Sequence, residues 1–209
     1  MTVAESPTGA ASTPTVAWSR RVRRIGGFIQ LAFAAFWLLR GSHNLTGVVG
    51  LAMYGVSAVA AVAVAVYGVR VTAGVAPRPT GPEARRIERA VTIATVIQLV
   101  ASFVVPVLVI AAGKPDWVLP SIAITIGPLL LWLDRRVHIP RYRPVGWLLI
   151  VGTVLLAATM SGASLAATTG ITAGALLLGT AAAGFHDLAA TRRPATPDPV
   201  PPDTRGSHD

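Results

Sequence analysis

The stretch "AVAAVAVAVYGV", residues 58–69, alternates Ala and Val in a way that at first sight suits a β-strand. Both residue types are apolar, however, so the alternation separates no wet face from a dry one. The apolar run is also too long for a strand, extending from Gly47 to Val69 without one acidic or basic residue. A helix rises about 1.5 Å per residue, and about 20 apolar residues are required to cross a hydrocarbon core of about 30 Å. The stretch therefore predicts a transmembrane helix. A membrane β-barrel does not fit, because its strands alternate apolar and polar residues over about ten positions.

Five further apolar segments flank this one, at 25–39, 90–112, 117–133, 145–167 and 170–190. Only the last contains charge, with His186 and Asp187 near its end. The segments at 25–39 and 117–133 are short, and reach across by recruiting flanking residues or by letting Arg side chains snorkel. The 209-residue chain is 53% hydrophobic and 13% charged, against about a quarter charged in an ordinary soluble domain. The fold class expected is an all-α integral membrane bundle of six transmembrane helices. Its domains are a disordered basic N-terminal segment over 1–24, the bundle over 25–190 and a disordered tail over 191–209. Both tails are rich in Ser, Thr, Ala, Gly or Pro and lack the apolar residues of a core.

Charge predicts the threading. Four Arg precede Ile25, five lie in the 70–89 link, four in the 134–144 link and three in the tail, whereas the alternate links hold only Arg40 and Lys114. Cytoplasmic loops are enriched in Lys and Arg, so six crossings with both termini inside fit every link. The paired Arg of "SRRVRRIGGF" (19–28) also suit a twin-arginine export signal. No small-x-small cleavage pattern follows that first apolar run, and five more crossings lie downstream, which favours an uncleaved first helix. The net charge of +9 is spread over helix ends rather than gathered into a nucleic-acid-binding domain. Its expected partners are the bilayer and its anionic lipids at the cytoplasmic face. Arg outnumbers Lys 17 to 1 and Ala and Val abound, as in GC-rich bacterial coding. The expected location is the bacterial cytoplasmic membrane.

Few residues suggest chemistry. The chain has no Cys, which excludes disulfides and thiolate chemistry. It has no nucleophile elbow, Walker loop, H-E-x-x-H, Gly-rich dinucleotide fingerprint or closely paired carboxylates. No catalytic residue, cofactor or metal site is implied. His186 and Asp187 are one ingredient of proton transfer, but neighbours on a helix point about 100° apart.

Gln30 and Gln98 are the most polar side chains within crossings, and each needs a partner in hydrocarbon. They read first as interhelical hydrogen-bonding residues and second as the lining of a solute path. "RGSHNLTG" (40–47) reads as an outer turn. Its other reading is an outward-facing contact site using Arg40, His43 and Asn44. In "DRRVHIPRYRP" (134–144), Arg135, Arg136, Arg141 and Arg143 are candidate anionic-lipid contacts, and Tyr142 suits headgroup depth. Small residues recur every fourth position at Ser57, Ala61 and Ala65, and again at Ala166, Gly170 and Gly174, a pattern for close helix approach. Pro106, Pro120 and Pro128 are candidate bends.

The stretch "GKPDWVLPSIAITIGPLLLWLDRRVHIPRYRPVGWLL" (113–149) resembles a class of small multi-pass bacterial membrane proteins of unknown function. The resemblance rests on Gly113, Pro115, Pro120, Ile122, Ala123, Ile124, Ile126 and Gly127, where a Gly-x-Pro turn leads into an apolar helix. A His-Phe pair of that pattern is replaced here by "GPLLLWL". The resemblance implies no activity. The leading functional expectation is a non-enzymatic membrane protein associating with lipid, with a membrane protein partner or with copies of itself. A small-solute carrier or channel is the second, and a lipid-modifying enzyme the third.

Overall fold

The computed structural model describes residues 14–73, 82–137 and 139–190. The expectations for 1–13, for most of the 70–89 link, for His138 and for the tail at 191–209 lie outside the described residues. Six α-helices follow one another: α1 Pro14–His43, α2 Gly47–Thr72, α3 Pro82–Ala111, α4 Val118–Val137, α5 Tyr142–Thr159 and α6 Gly162–Ala190. A single 3-10 turn, Pro115–Trp117, precedes α4, and the described residues contain no strand. All six helices are long and apolar enough to cross a membrane. The protein is an all-α, multi-pass membrane bundle.

Several boundaries differ from the sequence reading, each for a local reason. The first helix starts at Pro14 rather than Ile25, because proline suits a first helical position and no helix breaker lies between it and Gly26. The third starts at Pro82, so the charged approach to that crossing is one helix with it. The largest correction concerns the last two crossings. The fifth helix stops at Thr159, Met160 is extended (φ −128°, ψ 158°), and Gly162 takes φ +61°, a left-handed conformation suited to glycine. Residues 162–167, assigned from hydropathy to the fifth segment, open α6 instead. The polar signal was "TMSGAS" at 159–164, a turn written in small residues that do not interrupt an apolar run.

Alternating helix directions gather the first residues of α1, α3 and α5 and the last of α2, α4 and α6 at one end of the bundle, the basic end. At its centre stands α6, which packs along α1 and also against α2, α4 and α5, while α4 joins α5 and α3. Of the residues in each span, 56% are buried in α6 but 11% in α2 and in α3. Those two helices leave Val, Leu and Phe side chains exposed on the outside of the bundle.

Without water to drive apolar surfaces together, helices in a bilayer associate through close van der Waals packing. Glycine allows it here at two crossings. A Cβ on Gly41 of α1 would stand 2.7 Å from the Ile171 nitrogen of α6, so the two backbones touch. Gly127 of α4 and Gly146 of α5 face each other in the same way, each Cβ meeting the other's carbonyl oxygen at 2.9 and 2.8 Å. Phe185 joins three helices. Its fully buried ring lies between Gly27 of α1 and Gly68 of α2, and tilts against the Phe28 ring at 5.0 Å between centroids. Pro106 and Pro128 lie inside helices, whereas Pro120 is the third residue of α4, where no preceding-turn hydrogen bond is lost.

Candidate functional site

Two adjoining chambers occupy the half of the bundle nearest the basic end. The first, about 90 Å³, lies between α1, α3 and α4; Phe33, Ala94, Ile126 and Leu130 are among its walls. Almost all of its lining is apolar, yet Gln30 from α1 and Gln98 from α3 both face it. The second, about 380 Å³, lies between the start of α5, α1 and the end of α6. Its walls are more polar, including Gln30, Arg141, Tyr142, Thr180 and Asp187. Gln30, Ile139 and Tyr142 belong to both chambers and form the partition between them.

Both glutamines are buried, at 9% and 6% exposure, but their amides differ in what they bond. The Gln98 amide donates to Ser102 Oγ, one turn along its own helix, at 3.2 Å. Gln30 Nε2 is buried and has no hydrogen-bond partner in the protein. The interhelical bond expected of these residues is therefore not made by either amide nitrogen. Helix α1 presents Gln30 to the partition because Gly26, Gly27 and Gln30 share its inner face, and the small glycines leave room: the Tyr142 hydroxyl lies 3.3 Å from where a Gly26 Cβ would be.

Arg141 sits immediately before α5. Its Nη2 donates to Asp187 Oδ2 of α6, a pairing across 46 residues of sequence. The other terminal nitrogen, Nη1, is buried without a partner in the protein. Two buried nitrogen donors without a protein partner, one on α1 and one on the residue before α5, thus belong to side chains that line the second chamber, and Asp187, which also lines it, engages the other end of the guanidinium.

The other candidate residues are dispersed. Arg135, Arg136 and Arg143 are exposed at the basic end, and the Arg136 guanidinium lies 5.7 Å from the Trp132 ring centroid, a cation–π contact. Arg141 parts company with them by turning inward. Tyr142, expected at headgroup depth, is instead buried at 6% exposure in the partition. At the opposite end, α1 continues through Arg40 to His43, and the following turn closes by bonds from Asn44 N to Gly41 O and from Leu45 N to Ser42 O. Asn44 Nδ2 donates to the Arg40 carbonyl at 2.8 Å, and Arg40 and His43 are exposed. Arg40, His43 and Asn44 form a helix end and turn. His186 is exposed while its neighbour Asp187 turns toward Arg141. No group of three His, Cys, Asp or Glu suited to a metal occurs among the described residues.

Thr180 and the inward role of Arg141 were missed by sequence reasoning. The available signal was Asp187, the single acidic residue in an apolar crossing, whose placement in a bilayer calls for a basic partner. No protein-family model matches the chain, and neither any curated protein nor any solved structure matches it. The resemblance noted at 113–149 accordingly stands without a family behind it.

Proposed function

We propose that the protein is a non-enzymatic, lipid-associating protein of the bacterial cytoplasmic membrane, which lodges part of an amphipathic molecule between α1, α3 and α4. The carrying observation is Gln30 Nε2: a buried amide nitrogen without a protein partner, on a residue in the wall shared by an apolar and a polar chamber. Leaving such a donor unsatisfied costs about 1–3 kcal/mol, so a site that retains one is suited to a guest that supplies the acceptor. The 90 Å³ of the apolar chamber is smaller than the roughly 150 Å³ cavity that accommodates benzene, which suits a short length of chain rather than a whole lipid tail. The distribution of basic residues supports an arrangement with both termini and the two chambers on the cytoplasmic side.

Native mass spectrometry of the full chain, extracted gently from its own membrane, tests this reading. A reproducibly retained amphiphile is the expected result, and release of bare protein under conditions that keep the bundle folded would overturn it. The convergence of Gln30 and Gln98 on one chamber favours a second reading, a carrier for a small, weakly polar solute. Flux in reconstituted vesicles that is abolished by Gln30→Leu or Gln98→Leu would replace the first reading with the second.

A further inference from the structure

We infer that the polar chamber is an oxyanion site, in which Arg141 Nη1 and Gln30 Nε2 together bind a carboxylate or phosphate oxygen. The inference rests on the lipid-association reading and specifies the chemistry of the guest's head. Both atoms are buried, both lack a partner in the protein, and both belong to residues lining the same 380 Å³ chamber. A guanidinium nitrogen only donates, and an amide nitrogen only donates, so a guest that satisfies the pair must present acceptors. A neutral oxygen can also accept from both, but an oxyanion makes charge-assisted hydrogen bonds to them, roughly twice as strong as neutral ones.

Charge is the second argument. Arg141 is a permanent cation drawn inward from a cluster whose other members face outward. Asp187 contacts it through one nitrogen, which leaves the fork of the guanidinium half used. Arg binds carboxylate and phosphate through two parallel N–H groups where it can; here the second has no partner in the protein, and Arg141 lines the chamber. Thr180, whose hydroxyl donates to the Leu176 carbonyl at 2.7 Å, retains acceptor capacity only and also lines the chamber. The guest's charged end is directed to the two donors, Gln30 Nε2 of the partition and Arg141 Nη1, beside the apolar chamber. A single-tailed or two-tailed amphiphile with an anionic head meets these demands, and a free oxyanion meets the polar part of them.

The test uses the purified full chain in nanodiscs of zwitterionic phosphatidylcholine doped with phosphatidylglycerol or oleate, read by native mass spectrometry. Separate samples contain inorganic phosphate or acetate as tail-free oxyanions. The anionic amphiphile is expected to be retained over phosphatidylcholine. Gln30→Leu and Arg141→Lys should each lower retention about tenfold, the loss of one charge-assisted hydrogen bond. Arg141→Lys keeps the cation beside Asp187, so its folding is preserved while the second N–H is lost. Asp187→Asn should raise retention, because it removes the carboxylate that competes with the guest for the guanidinium; an ion pair serving only to hold α5 against α6 would give no such gain. Arg135→Gln and Arg136→Gln should change nothing. Equal losses from Arg135→Gln would reduce the effect to general headgroup attraction and overturn the site. Equal retention of phosphatidylcholine would overturn the oxyanion assignment while leaving lipid association intact, whereas retention of no lipid by the wild type would remove both. Binding of phosphate or acetate with the same dependence on Gln30 and Arg141, but without the amphiphile, would uphold the oxyanion site and identify its guest as a free anion.

Discussion

Gly41 of α1 and Gly170 of α6 meet backbone to backbone: a Cβ placed on Gly170 would lie 2.6 Å from the Gly41 Cα. Gly174, one turn on, meets the Leu38 backbone nitrogen at 2.8 Å in the same sense.

Replacing Gly170 by Ala forces these helices apart, because the atoms in the way are backbone and have no rotamer to change. Overpacking of this kind costs about 1–3 kcal/mol, and Gly170→Ala should lower the detergent melting temperature accordingly. Gly179→Ala is the matched control on the same helix. A Cβ there meets nothing within 4 Å, so alanine's better helix propensity should leave the melting temperature unchanged or raised.

Phe185 offers a loss of the opposite kind. Its ring is fully buried between Gly27 and Gly68, neither of which has a side chain to move into the space it vacates. Phe185→Ala should destabilise by about 3–5 kcal/mol, measured by denaturant titration in micelles. A cost below about 1 kcal/mol would show that the three helices do not depend on this ring.

Gln30→Leu should have the reverse sign. It exchanges a buried donor without a protein partner for an apolar side chain of similar size, and relief of the desolvation penalty is worth about 1–3 kcal/mol. The variant should melt at or above the wild-type temperature in lipid-free detergent. Gln98→Leu, which gives up the Ser102 contact, should gain less. A Gln30→Leu protein that melts lower would mean the amide has a structural bond.

The threading is testable without background, since the chain contains no native cysteine. His43→Cys and Lys114→Cys, at one end of the bundle, should react with a membrane-impermeant thiol reagent on intact cells. Arg135→Cys, at the basic end, should react only after the membrane is opened. The opposite pattern would invert the proposed orientation.

Much of the fold was legible because each crossing had to satisfy its own backbone in hydrocarbon, a constraint that acts segment by segment and leaves a local trace. The α5–α6 boundary left a weaker trace, since Met160, Ser161 and Gly162 turn the chain without adding charge. The Ala166, Gly170 and Gly174 row announced a close approach but not its partner: Gly41 lies 129 positions earlier in a stretch that reads as a turn. Gln30 and Gln98 were conspicuous by polarity, while their meeting at one chamber is set by the packing that brings α1, α3 and α4 around the same space. Arg141 resembled Arg135, Arg136 and Arg143 in sequence. Only the approach of Asp187 from α6 distinguishes it, and a pairing across 46 residues is set by packing rather than by spacing.

The central position of α6 has a bearing on biogenesis. Of these six helices a ribosome delivers α1 first and α6 last, so the central helix, against which α1, α2, α4 and α5 pack, is the last of the six to emerge. Until then the inner face of α1, with Gly27, Gln30 and Gly41, is presented to lipid or to the insertion machinery instead of to its own partner. Chains released before Gly162 would consist of inserted helices without their hub. They would be natural substrates for membrane quality control, which makes synthesis of α6 the step that commits this bundle to its final form.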